Sequence, residues 1–287
     1  LKLISYERDG ERAVGVLVGE SVAPVLSDNM TTFLASGEPA LAAARKIDLN
    51  LRAETPVDGL TQLGEVELLP PVPNPPKCLC VARNYAAHAA ETGRELPTHP
   101  SLFLRLPRTL VGDGAPIVVP PVSDRVDWEG ELAVVIGKPG RYVSEADALA
   151  HVAGYSIFND VSIRDFQKHT QQFTPGKNFD ASGPFGPALV TADEVPDPMS
   201  LAIETRVNGE LKQAASSGEM VFGIAAQIAY ISQFTELEPG DVIATGTPAG
   251  VGVARKPPEF LRPGDVCTVA IEGLGELRSP VVAASPR

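Results

Sequence analysis

Glu129 and Glu131 stand one residue apart in the run Asp127-Trp128-Glu129-Gly130-Glu131-Leu132-Ala133-Val134-Val135-Ile136. An extended strand sends alternate side chains to one face, so both carboxylates point the same way at the head of an apolar segment. Two such charges repel, and apolar surroundings raise the cost. A cation has to hold them together, and a hard divalent ion with oxygen ligands suits that task. Asp160 closes a second strand-like run, Gly154-Tyr155-Ser156-Ile157-Phe158-Asn159-Asp160. Three acids on two strand ends make a candidate Mg²⁺ or Mn²⁺ site with positions open for a substrate. Two glutamates on a strand by themselves more often mark a solvated edge, so the case rests on the other chemistry of the chain.

That chemistry is spread over three further segments. Arg83-Asn84-Tyr85-Ala86-Ala87-His88-Ala89-Ala90-Glu91-Thr92-Gly93 reads as a short helix, with Asn84 capping its start and Gly93 ending it. His88 and Glu91 then share one face. A carboxylate beside an imidazole fixes its tautomer and raises its basicity, which suits a pair that activates water. Lys177, in Gly176-Lys177-Asn178-Phe179-Asp180, is placed to steady a developing oxyanion. Thr245-Gly246-Thr247-Pro248-Ala249-Gly250-Val251-Gly252 follows a strand and allows close backbone approach to a carboxylate or phosphate. It lacks the lysine and helix of a P-loop. His99, His151 and His169 have weaker surroundings.

The order of these segments is more specific than any one of them. Asn-Tyr-x-x-His-x-x-Glu, Glu-x-Glu, Asn-Asp-x-Ser-x-Arg-Asp-x-Gln, Gly-Lys-x-Phe-Asp and Thr-Gly-Thr-Pro-x-Gly-Val-Gly, in that sequence from about Lys77 to about Val281, resemble the fumarylacetoacetate hydrolase family. The resemblance implies an α+β, predominantly β fold, with a mixed β-roll catalytic domain, a small N-terminal α/β domain, and a homodimer. It implies Glu129, Glu131 and Asp160 as ligands of one Mg²⁺ or Mn²⁺, His88 with Glu91 as the water-activating dyad, and Lys177 as the residue polarising the carbonyl. Gln167 and Thr247 match positions that hold substrate oxygens, and Arg83 and Tyr85 lie near the dyad. Arg105 stands where many relatives carry lysine and is counted with the substrate-binding set. Ala82 replaces a frequent glycine. The leading expectation is a hydrolase that cleaves a 2,4-dioxo acid of the acylpyruvate type to pyruvate and a carboxylic acid. A decarboxylase or isomerase of oxaloacetate or another β-keto acid on the same site is the alternative, and a catalytically silent metal-binding scaffold ranks third.

The elements that must position these residues are legible in outline. Lys2–Glu7 and Ala13–Val18 flank a hairpin-like turn, and an Ala-rich helix is expected over Pro39–Lys46. The proline-rich run Leu69–Pro76 sets a boundary between an N-terminal unit, 1–72, and a catalytic unit, 73–287. Asn208-Gly209 is a hairpin turn, Glu219–Phe234 has helical periodicity, and two Leu-x-Pro-Gly-Asp-Val turns, Leu237–Val242 and Leu261–Val266, each introduce a strand. No Gly-x-Gly-x-x-Gly opens a helix, which disfavours a doubly wound fold.

A chain of 287 residues with 44% hydrophobic content can bury a full core. Its net charge of −12 argues against nucleic acid and anionic membranes as partners. Three cysteines, Cys78, Cys80 and Cys267, form no disulfide framework and suggest a reducing, cytoplasmic setting. Leu1–Tyr6 alternates like a strand rather than a signal peptide, and a chain opening on Leu1 is expected to have lost its initiator Met or more.

Overall fold

The structure is a computed structural model that describes residues 1–285; Pro286 and Arg287, the end of the expected catalytic unit, lie outside the described residues. Its strands form a large mixed sheet and a five-stranded sheet packed over a shared core, with a small two-stranded sheet of Val126–Asp127 and Ser162–Ile163. In the large sheet the order is Thr61–Gln62, Ser21–Pro24, Glu11–Val18, Lys2–Arg8, Gly183–Thr191, Val152–Asn159, Gly130–Ile136, Val242–Ala244, Cys78–Ala82 and Ser101–Leu104. Most neighbours are antiparallel, but Val242–Ala244 runs parallel to Cys78–Ala82. The second sheet has the order Glu210–Ser216, Ala202–Val207, Val266–Ile271, Gly275–Ala283 and Ile117–Val119. This is the expected mixed, predominantly β architecture.

The central strand Gly130–Ile136 is buried along its whole length. Leu132, Val134 and Ile136 face the second sheet and the helix Ile224–Phe234, while Ala133 and Val135 face Phe158, Phe185 and the N-terminal helix Met30–Ala35. A strand covered on both faces needs a continuous apolar run, and the five residues 132–136 supply one. The first strand continues this sheet through Lys2↔Val190 and Leu3↔Leu189.

The turn chemistry appears where the residues called for it. Asn208 and Gly209 both have positive φ, 51° and 82°, as a type I′ hairpin requires. In the Pro-Gly turns Gly240 and Gly264 have φ of 87° and 99°, and each turn leads into its strand, Val242–Ala244 and Val266–Ile271. Two helices differ from expectation. The N-terminal one runs from Glu38 to Arg52, since nothing in residues 47–52 breaks it. The helix expected from Glu219 starts only at Ile224. Gly223 caps it, and the backbone of Val221 and Phe222 donates to Asn84 instead of to a helical turn.

Candidate active site

The ladder between Gly130–Ile136 and Val152–Asn159 pairs Gly130 with Asn159, so the residues just beyond, Glu129 and Asp160, emerge at the same end. Asp160 N–H donates to Glu129 O at 2.8 Å, and Glu129 N–H donates to the Asn159 side chain at 3.0 Å. Glu129, Glu131 and Asp160 each bring a carboxylate oxygen within 4.8 Å of the other two, and all three are buried. The sequence spacing and the register together make one acidic cluster.

Three cations surround it. Lys177 Nζ lies 2.5 Å from both Glu129 Oε2 and Asp160 Oδ2, and also donates to Asp160 O at 3.2 Å. Arg164 bridges Glu129 Oε1 and Asp127 Oδ2, each at 2.7 Å. Arg105 Nη1 donates to Asp160 Oδ1, while its Nη2 holds Ser182 O at 2.5 Å. Four buried carboxylates thus face three cations. Burial pushes Glu129 up, but the charges of Lys177 and then Arg164 outweigh it and hold the group at about 2. Burial, and then the charges of Asp160 and Glu129, push Glu131 well above the usual carboxylate range. Among the described residues no ion pair reaches Glu131, whose Oε2 has only the Gly246 N–H at 2.9 Å. A cluster short by one positive charge, built of oxygen donors, fits a hard divalent ion held by Glu129, Glu131 and Asp160.

His88 and Glu91 form the expected pair on the helix Ala86–Glu91, with Nδ1 and Oε1 2.8 Å apart. Gly250 N–H holds the other oxygen of Glu91 at 2.9 Å, tying the helix to the Thr245–Gly252 loop. Asn84 does not cap this helix; Tyr85 occupies the cap position. The Asn84 amide instead reaches Thr245 O and Phe222 O, joining three segments behind the dyad.

One cavity of about 820 Å³ collects the acidic cluster, His88, Glu91, Lys177, Arg83, Gln167 and Thr247. Tyr85 and Arg105 are not in its lining. Tyr85 is 1% exposed and packs in the core, and Arg105 is 2% exposed behind Asp160. Arg105 is a buried counter-ion to an acid of the cluster. All three ammonium protons of Lys177 have acceptors in the cluster itself, not a partner across the cavity. Thr247 lines the wall, but its hydroxyl donates to Gly130 O at 3.0 Å.

Arg164 and Gln213 act in this neighbourhood without having been singled out from the sequence. Arg164 sits in the Asn-Asp-x-Ser-x-Arg-Asp-x-Gln motif, where its position four residues after Asp160 was the available signal. Gln213 had no local signal, since its strand belongs to the second sheet. Removing Arg105 should be costly, because it leaves Asp160 Oδ1 and Ser182 O without their buried donor, with Lys177 alone still holding the acid. Arg105→Met is expected to lose about 3–5 kcal/mol of stability in the metal-free protein. Urea unfolding checks this, and an unchanged midpoint would rule out the counter-ion role.

A buried acidic cluster, an imidazole–carboxylate pair and flanking cations gathered around one cavity define a site of the kind found in enzymes that act on small organic acids. The chain belongs to the fumarylacetoacetate hydrolase family: the sequence model described as "Fumarylacetoacetate (FAA) hydrolase C-terminal" matches residues 77–282. Oxaloacetate tautomerase FAHD2A, mitochondrial, of Homo sapiens is 46% identical over 270 residues, covering 93% of this chain and 84% of that protein. Oxaloacetate tautomerase YisK of Bacillus subtilis (strain 168) is 43% identical over 256 residues, covering 86% and 84%. The crystal structure of maleylpyruvate hydrolase from Sphingobium sp. SYK-6 in complex with manganese(II) ion and pyruvate superimposes with a TM-score of 0.80. It is 30% identical, covering 99% of this chain and all of that one.

These relatives correct the leading functional expectation. Cleavage of an acylpyruvate-type 2,4-dioxo acid was expected, whereas the human and Bacillus subtilis relatives, at 46% and 43% identity, are named for oxaloacetate tautomerisation. The physical reason is that a carboxylate triad beside a basic dyad serves any reaction through an enolate, whether or not water attacks. Among the described residues no helix is long and apolar enough to cross a membrane. The human relative is named as mitochondrial, so a cytoplasmic setting is not common to these proteins.

Proposed function

We propose that the protein interconverts the keto and enol forms of oxaloacetate, or of a closely similar short 2-oxo dicarboxylic acid, with Mg²⁺ or Mn²⁺ held by Glu129, Glu131 and Asp160. The observation that carries this reading is the position of His88 in the same cavity as the acidic cluster, backed by Glu91. An imidazole donating from Nδ1 to Glu91 leaves Nε2 free as a base. Nε2 takes the proton from C3 of the keto acid and returns it to the 2-oxygen, so one C–H bond breaks, one O–H bond forms, and composition is unchanged. The bound ion would act as a Lewis acid toward the 2-oxo group, acidifying the adjacent C–H.

Recognition of the acid falls to the cationic wall. Among the described residues Arg83 Nε and Arg164 Nη2 have no hydrogen-bond partner though buried, and both side chains line the cavity. A carboxylate is the natural acceptor for such unsatisfied guanidinium protons. Arg83 is held at φ 57°, a conformation uncommon outside glycine, and Gln167 adds an amide on the same wall. Lys177 keeps Glu129 and Asp160 together while the substrate brings further negative charge.

The test follows the ultraviolet absorbance of enol-oxaloacetate with and without protein, in Mg²⁺, Mn²⁺ and chelator, with pyruvate measured in parallel. Metal-dependent acceleration of ketonisation without matching pyruvate release supports tautomerisation. Stoichiometric pyruvate would assign decarboxylation instead, and no acceleration with either ion would overturn the proposal.

A further inference from the structure

Gln213 is absent from the cavity lining and lies on the strand Glu210–Ser216 of the second sheet. Its side chain is nonetheless 1% exposed and fully engaged at the acidic cluster. Oε1 accepts from Gly130 N–H at 3.0 Å. Nε2 donates to Thr247 Oγ1 and to Pro248 O, each at 2.8 Å. Thr247 Oγ1 in turn donates to Gly130 O. Gly130 is the residue between Glu129 and Glu131, so one amide side chain grips that residue's N–H directly and its carbonyl through Thr247.

Two further contacts give this grip its consequence. Gly246, next to Thr247, donates its N–H to Glu131 Oε2 at 2.9 Å, so fixing the loop also fixes the oxygen of one acid. A Cβ built at Gly130 would come within 2.2 Å of Thr205 Oγ1, so no side chain there could hold the strand in place of Gln213. The carboxylates of Glu129 and Glu131 take their relative orientation from the peptide groups on either side of Gly130. Rotation of those groups would separate oxygens that now lie within 4.8 Å.

We infer that Gln213 is a positioning residue: from the second sheet it sets the mutual orientation of Glu129 and Glu131 and locks the Thr245–Gly252 loop against them. The inference rests on the divalent-ion reading of the acidic cluster. Groups that orient metal ligands typically change affinity by about 10–100-fold when removed.

The experiment is titration of the metal-free protein with Mn²⁺, followed by electron paramagnetic resonance, alongside its thermal melt without metal. Gln213→Met is expected to weaken Mn²⁺ binding about 10–100-fold. Thr247→Val should weaken it through the same link, and the double variant should fall short of the product of the two effects. A lower melting temperature with unchanged Mn²⁺ affinity would make Gln213 a packing residue only and overturn the inference. Should the methionine variant not fold, Thr247→Val alone decides, since unchanged affinity there breaks the proposed route to Gly130 O. Absence of Mn²⁺ binding in the wild type would instead overturn the ion reading itself.

Discussion

Glu131→Gln is expected to lose metal-dependent turnover while making the metal-free protein harder to melt. Each of the other two acids in the cluster already has cationic partners, Lys177 and Arg164 on Glu129, Lys177 and Arg105 on Asp160. Glu131 has a single backbone N–H and two like charges for neighbours. Its carboxylate is therefore the group a divalent ion relieves most, and the one whose burial costs most without the ion. Glutamine keeps an oxygen for the Gly246 N–H and removes the charge. A Lewis-acid contribution of several kcal/mol corresponds to a rate loss on the order of 10³. Enol-oxaloacetate decay in saturating Mn²⁺ and calorimetry in chelator measure the two halves. Retention of wild-type Mn²⁺-dependent turnover would exclude Glu131 from the metal set. A lower melting temperature in chelator would contradict the charge argument.

His88→Gln should separate catalysis from metal binding. Among the described residues the side chain makes no hydrogen bond to an acid of the cluster, and its one polar partner is Glu91. Glutamine fills similar space and can still pair with Glu91, but it has no nitrogen able to take a proton. A positioned general base contributes about 10²–10⁴ in rate, and a loss of that size in kcat is expected with Mn²⁺ affinity nearly unchanged. Glu91→Gln should give a smaller loss, since the imidazole survives and loses only the carboxylate that orients it. Equal kcat in wild type and His88→Gln would move the proton transfer to another group. A collapse of Mn²⁺ affinity would show that His88 serves the cluster instead.

The pattern of what was legible reflects the range of the forces involved. The Glu129–Glu131 spacing, the apolar run behind it, the Asn208-Gly209 hairpin and the two Pro-Gly turns are decided within a few residues by strand alternation and by φ preferences. So was the His88–Glu91 pair, three apart on one helical turn. Asp160 was legible as the residue that closes a recognisable strand, but its meeting with Glu129 needed the register Gly130↔Asn159. The order of motifs also identified the family, since five short patterns rarely fall in sequence by chance.

Tertiary structure alone decided where the charges went. Arg105 turned from the cavity to Asp160 because its strand end lies beside Ser182, 77 residues on. Asn84 left its helix to join Phe222 and Thr245, 138 and 161 residues away, and Gln213 reached Gly130 across 83 residues from another sheet. Such partnerships depend on which strands become neighbours, a property of the whole core that no local window of sequence contains. The reaction was equally illegible, because the same acids, imidazole and lysine serve enolates formed by hydrolysis, decarboxylation or tautomerisation. The sequence by itself determined the chemistry these residues are capable of; the packing of two sheets decided which of them stand together, and so which face a substrate and which only hold the others in place.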